Sequence, residues 1–260
     1  MNILLTNDDG YDASGITELY KSLSIDHNVY LIAPKENCSG MSAAISLRKE
    51  IEVKELSKNI FSVSGTPADC SYLGLLSVIP EKIEMIVSGI NLGANLGEDI
   101  FYSGTVGAAI AGRRLDYVPV AFSVTAFNPK NLAFISEQAS LITKQVSKLP
   151  NNKDLLVNVN FPDLSSEQVM GTKITKLAKR GVPDTPDFLR TLESSKFYSF
   201  GPSGKILPGQ AQTDIQAIEE NYISITILDY NLSAEIDDWH LYKEFFNCCL
   251  LYTSPSPRDG

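Results

Sequence analysis

The chain has 260 residues, with 22 Lys and Arg against 31 Asp and Glu, a net charge of −9, and 43% hydrophobic residues. That length and apolar content suit one α/β domain, or one domain with an appendage, around a sizeable core. The acidic balance argues against a nucleic-acid duplex or an anionic membrane surface as partner, and no apolar run approaches the roughly 18 residues of a membrane span.

The cysteines, Cys38, Cys70, Cys248 and Cys249, fit neither a zinc ribbon nor a disulfide framework. The histidines, His27 and His240, lie in no motif, which argues against a His-based triad or a His-rich zinc site. Met1 leads into a strand with no basic segment before it, so a reducing cytoplasm is the expected compartment.

The first ten residues, MNILLTNDDG, organise the rest. Ile3, Leu4 and Leu5 form a continuous apolar run, as in a parallel strand covered on both faces. The run stops at Asn7-Asp8-Asp9-Gly10, and helical spacing resumes at Ile16, Leu19, Tyr20 and Leu23. Two adjacent carboxylates therefore sit at the carboxyl end of the first strand, where open α/β sheets bind ligands. Turn and cap formation would explain one Asp. Two adjacent ones repel unless something neutralises them, which favours a divalent-cation site.

A second strand is expected over residues 28–34, joined by a right-handed crossover. The loop after it, Lys35 to Ser42, would hang over Asp8 and Asp9 and makes Ser39 a candidate oxygen ligand or phosphate donor. Residues 47–56 and 59–64 read as a β-hairpin. In Gly65-Thr66-Pro67-Ala68-Asp69-Cys70, Thr66 suits an N-cap and Pro67 the first helical position, with the helix running to Pro80. Capping explains that motif, which is read as supporting the site at most.

Residues 84–88 read as a short buried strand. The richest stretch follows, from Ser88-Gly89-Ile90-Asn91 through Asn95 to Tyr102-Ser103-Gly104-Thr105-Val106. Small and polar residues there lie between a strand and a helix that begins near Gly104. Its unpaired N–H groups and the Ser103 and Thr105 hydroxyls make a phosphate cradle in kind. It is neither a Walker loop, since no Gly-Lys-Ser/Thr follows, nor a GxGxxG dinucleotide fingerprint.

Further on, strands are expected at 118–124 and 155–162, around an amphipathic helix at 131–149. The Asn158 and Asn160 pair is read as structural. Residues 173–178 and 196–200 look β-like and flank a Gly/Pro/Asp segment, 180–187, expected to be mobile. A short helix at 213–220, a strand at 222–228 and a last helix at 235–246 complete the reading. Residues 1–247 are expected to form a single domain. The Ser/Pro-rich end from Cys249 lacks periodicity and looks like a translated sequencing-library adapter, so 248–260 is taken as a non-native tail.

Asn7-Asp8-Asp9-Gly10, Ser39-Gly40, Gly65 to Cys70, Ser88 to Asn91 and Tyr102 to Val106 together resemble the SurE family, the survival-protein nucleotidases. The resemblance implies a Rossmann-like three-layer α/β/α sandwich, with a mostly parallel sheet and a β-rich C-terminal extension. It also implies a metal-dependent phosphomonoesterase acting on nucleoside monophosphates, in dimers or tetramers that exchange C-terminal elements. It carries metal ligation to Asp8, Asp9, Ser39 and Asn91, and phosphate contacts to Asn95, Ser103, Gly104 and Thr105. Two positions depart from it: Ala111, where an acidic residue is expected, and Glu235, where a His often follows the Asn231-Leu232-Ser233-Ala234 segment.

All the proposed ligands are hard oxygens, which selects one Mg²⁺ or Mn²⁺ per subunit over zinc, with Asp8 or Asp9 as acceptor of a water proton. Two rival readings are an aspartyl-phosphate-forming phosphatase, ranked lower because Asp-x-Asp spacing is absent, and a noncatalytic nucleotide-binding module. Base preference, and reach to 3′-monophosphates or polyphosphate, stay open.

Overall fold

Strand β1 (Asn2–Thr6) lies at the middle of the fold, with only Asn2 short of full burial. Its apolar run feeds both faces: Ile3 and Leu5 join one core, while Leu4 joins the other. The computed structural model describes residues 1–150, 154–200, 204–231 and 233. Within it, Met1–Tyr230 forms one compact unit.

Helix α1 (Ser14–Leu23) follows β1, and β2 (Asn28–Pro34) returns parallel to it. Next come β3 (Val53–Ser57), β4 (Ile60–Val63) and α2 (Pro67–Leu73). Strand β5 (Met85–Leu92), α3 (Gly104–Ile110), β6 (Val120–Val124), α4 (Leu132–Val146) and β7 (Leu155–Phe161) complete the parallel core. The second half adds β8 (Thr172–Thr175), β9 (Asp187–Leu192), β10 (Ser195–Ser199), α5 (Asp214–Glu219) and β11 (Ile223–Asp229).

Among the described residues nine strands form one sheet, in the order β3-β4-β2-β1-β5-β6-β7-β11-β8. The chain moves from β1 to β2 on one side and later to β5 on the other. This reversal opens a crevice at the carboxyl ends of β1 and β5, the place where doubly wound sheets bind ligands. Ile16, Leu19 and Leu23 of α1 and Ile135, Ala139 and Val146 of α4 cover one face. Cys70 of α2 and Ala111, which caps the end of α3, pack on the other face. The expected three layers and mostly parallel sheet are present, and β11 and β8 extend the sheet while β9 and β10 pair separately.

Several local expectations need correction. Residues 47–52 form no strand, and the hairpin starts at Val53. Helix α2 ends at Leu73 and continues as a wider π-turn, Gly74–Val78, rather than as α-helix to Pro80. Strand β5 runs four residues beyond Ser88, through Leu92, with a register break against β6 between Ser88 and Asn91 and a cis Gly89–Ile90 peptide. The two ends of the 180–187 segment are held: Arg180 bridges to Ile206 and pairs with Asp99 at 2.5 Å, and β9 begins at Asp187. The expected helix at 235–246 and the tail at 248–260 lie outside the described residues. No described helix is long and apolar enough to cross a membrane.

Candidate active site

The turn after β1 is closed by Asn7. Its Nδ2 donates to Gly10 O at 2.8 Å and its Oδ1 accepts the Gly10 N–H at 3.2 Å. Gly10 sits at φ +119°, which a side chain disfavours. Helix α1 is capped at Ala13 without a side-chain bond, so neither Asp8 nor Asp9 serves as its cap. The capping explanation of the pair therefore falls.

Asp8 is 4% exposed. Its Oδ1 accepts the Thr105 hydroxyl at 2.6 Å. Asp9 Oδ2 accepts the Leu92 N–H at 3.0 Å, and its Oδ1 accepts Asn37 Nδ2 at 3.3 Å. Burial pushes the Asp8 carboxyl up to about 6; the Thr105 hydroxyl opposes the rise and the Asp9 charge adds to it. Burial also raises Asp9, against the Leu92 and Asn37 donors. No ion pair reaches either carboxylate among the described residues, so neighbouring Lys and Arg leave the pair's charge uncompensated.

Ser39 and Asn91 each adjoin a residue bonded to the turn: Ser39 follows Cys38, and Asn91 precedes Leu92. Asn37 bridges toward Ser39, whose N–H donates to Asn37 Oδ1 at 3.0 Å. The next residue, Cys38, donates its N–H to Asp8 O at 2.7 Å, so the loop hangs over the carboxylates as expected. Asn91 spends its Nδ2 on Gly93 O at 2.8 Å, a bond that leaves its oxygen, the atom a hard cation takes, unused. Among the described residues no three His, Cys, Asp or Glu side chains converge. Any cation held here relies on two carboxylates supplemented by neutral oxygens, which suits a hard divalent ion.

The glycine-rich stretch closes the other side. Ser103 caps α3 by accepting the Val106 N–H at 3.1 Å. Gly104 packs directly on Asp8: a Cβ there would lie 2.8 Å from Asp8 Cβ and 2.9 Å from its Oδ2. Asn95 donates to Ser123 Oγ at 2.8 Å and to Thr105 Oγ1 at 3.5 Å. Its backbone is clamped in turn. Asn160 Oδ1 takes the Asn95 N–H at 2.9 Å, while Asn158 and Asn160 both donate to Asn95 O. A continuous polar chain thus runs from β7 through Asn95 and Thr105 to Asp8.

Sequence reasoning missed the positioning role of Asn37, and it read the β7 pair as structural, as found, without naming its partner. The pair did carry a signal: two amides spaced by two in an otherwise apolar buried strand must share one face and need partners there. It also missed Asp214, fully buried, whose Oδ2 takes the Gly97 N–H at 2.6 Å and whose Oδ1 takes the Ala178 N–H at 2.9 Å. That carboxylate ties the glycine-rich loop to the second half of the chain.

The family model described as "Survival protein SurE" matches residues 3–184. A "5'-nucleotidase SurE" from Pseudoalteromonas atlantica is 37% identical over 90% of this chain and 94% of its own length. A "5'/3'-nucleotidase SurE" from Wigglesworthia glossinidia brevipalpis is 40% identical over 90% and 93%. The crystal structure of the SurE protein from Aquifex aeolicus superposes with a TM-score of 0.80 at 31% identity, over 95% of this chain and 99% of that one. The similarity spans the Asp8–Asp9 turn, the loop above it and the α3 cradle, and the sheet that positions them has the same architecture; the chain belongs to the SurE family.

Proposed function

We propose that this chain is a divalent-cation-dependent phosphomonoesterase that releases phosphate from nucleoside 5′-monophosphates. One observation carries the reading: an uncompensated Asp8–Asp9 pair at the switch point of the sheet, with the start of α3 pressed against Asp8. The names of the relatives support the nucleotide as substrate.

Asp8, Asp9, Ser39 and Asn91 would hold one Mg²⁺ or Mn²⁺. Such an ion supplies Lewis-acid stabilisation of charge on the phosphoryl oxygens. The residues of the chain do the rest. Asn95, Ser103, Gly104 and Thr105 line the phosphate position: the Ser103 hydroxyl and the Gly104 N–H supply donors to the equatorial oxygens as water attacks in line, while the Thr105 hydroxyl stays on Asp8 and the Asn95 amide holds Thr105. Asp8 or Asp9 takes the proton of that water. Thr105 fixes the orientation of Asp8, and the β7 amides fix Thr105 through Asn95.

The test is phosphate release from a panel of nucleoside monophosphates with Mn²⁺, Mg²⁺ or EDTA. Release that requires the cation and stops with EDTA is expected. Folded protein that releases nothing with any cation refutes the reading and favours a binding module.

Self-association into dimers or tetramers that exchange C-terminal elements belongs to the same proposal. Its support is the β9–β10 hairpin, which pairs with no other described strand and exposes Phe188, Leu189, Leu192 and Tyr198. Sedimentation equilibrium should give a multiple of the chain mass at micromolar concentration; a monomer mass there removes this part. Cys38 and Cys70 are unpaired thiols, which fits the reducing cytoplasm expected from the sequence.

A further inference from the structure

A cavity of about 530 Å³ opens beside the site, at the carboxyl ends of β2 and β4. Cys38 lines it and also donates its N–H to the Asp8 backbone carbonyl, so the cavity adjoins the turn that carries the carboxylate pair. Its far wall is the loop after β2. There Met41, Ile45 and Leu47 are 47, 48 and 73% exposed: three large apolar side chains within seven residues, facing a cavity beside the most polar part of the fold. Lys35 and Lys49 stand on the rim.

Exposed apolar groups on a loop need an explanation, and an unpinned loop is not the one here. Ser42 N–H donates to Tyr102 O at 3.1 Å and Ser42 Oγ to Phe101 O at 2.8 Å. Thr66 Oγ1 donates to Ala44 O at 2.6 Å, and the Ser46 N–H donates to Asp69 Oδ1 at 2.9 Å. The other Asp69 oxygen takes the Thr66 N–H at 2.9 Å, completing the cap of α2. Burial works to raise the Asp69 carboxyl, yet the donors from Ser46 and Thr66 prevail and hold it below the ordinary value. The Gly65–Cys70 motif therefore does more than cap a helix. It clamps the apolar loop in place over the cavity.

Small-molecule sites have this anatomy: a few hundred cubic ångströms, mostly apolar walls and a few fixed polar groups. We infer that this cavity receives the nucleoside of the substrate. The base lies against Met41, Ile45 and Leu47, Lys35 and Lys49 donate to its ring acceptors, and Asp69 is the positioning residue that fixes the wall. The inference rests on the nucleotidase reading for what occupies the neighbouring carboxylate site.

The experiment compares kcat/KM for adenosine 5′-monophosphate with that for glycerol 2-phosphate, which lacks a ring, using the full chain with Mn²⁺. In Ile45→Asp the ratio of the two should fall about tenfold, through KM, as loss of one apolar contact does. Asp69→Asn keeps one acceptor of two, and the ratio should fall in the same direction. An Ile45→Asp ratio within about twofold of wild type overturns the subsite. A fall in that variant without one in folded Asp69→Asn overturns only the clamp. If the wild-type chain hydrolyses neither ester, the nucleotidase reading has failed by itself. Saturation-transfer NMR with free adenosine then decides the cavity: a signal lost in Ile45→Asp upholds it, and no signal from the wild-type chain overturns it.

Discussion

Asp8→Asn should abolish most hydrolysis and, in EDTA, make the protein more stable at pH 8. The two effects share one cause. In the metal-free fold burial lifts the Asp8 carboxyl from 3.8 to about 6. Below about pH 3 the group is protonated in both folded and unfolded chains and costs nothing. Between about 3 and 6 the folded chain keeps a proton that the unfolded chain progressively releases, so stability falls as pH rises through that window. Above about pH 6 the full penalty stands, about 3 kcal/mol from the size of the shift. Asn carries no charge to desolvate and keeps an oxygen to accept the Thr105 hydroxyl. The melting temperature of the variant in EDTA should exceed wild type by roughly 5–10 °C at pH 8, and the difference should vanish at about pH 3. Turnover should drop about 100- to 10,000-fold, the span of general-base losses. Added Mn²⁺ should stabilise wild type far more than the variant, since only binding to the folded state raises stability. A variant that melts lower than wild type at pH 8 in EDTA, or that retains near-normal turnover, removes Asp8 from the centre of the site.

The same residue shows why part of the site is legible from sequence. An apolar run that ends in two carboxylates and a glycine puts charge at a strand end whatever the remainder of the chain does. The parallel core is legible for the same reason, because Ile3–Leu5, Val29–Ala33 and Leu155–Val159 each announce a buried strand by an apolar-rich run. What escapes is long-range. Asp69 and Asp214 act on backbone N–H groups 23 and 117 residues away, and a backbone donor has no sequence signature. Strand β5 escapes in part because Gly89 reads as a turn, while the chain passes through it and pairs again at Asn91 and Leu92. Strand β9 escapes because all six of its residues are exposed, so no buried face imposes a period of two. Its neighbour β10 is only slightly better marked, and the hairpin is held by pairing rather than by a core.

Gly15→Ala should be among the most damaging single substitutions in the chain, although propensity alone predicts the reverse. Gly15 is the second residue of α1, and Ala there would favour the helix by about 1 kcal/mol. The added Cβ, however, would lie 1.9 Å from Ile90 O and 3.0 Å from Ile90 C. These are backbone atoms of a central strand, between the β6 pairs at Ser88 and at Asn91, so moving them disturbs the pairing on both sides of the break. Either α1 lifts, taking Ile16, Leu19 and Leu23 out of the core, or the end of β5 shifts. Overpacking of this kind costs about 3 kcal/mol at the upper end of its usual range, more than the propensity gain. The site pays twice, because the displaced segment carries Asn91 and the Leu92 N–H that holds Asp9. The urea midpoint should fall, and stabilisation by Mn²⁺ should shrink even in the fraction that stays folded. A midpoint equal to or above wild type would mean that α1 and β5 do not approach this closely, and would detach Asn91 from the packing that places it beside the carboxylate pair.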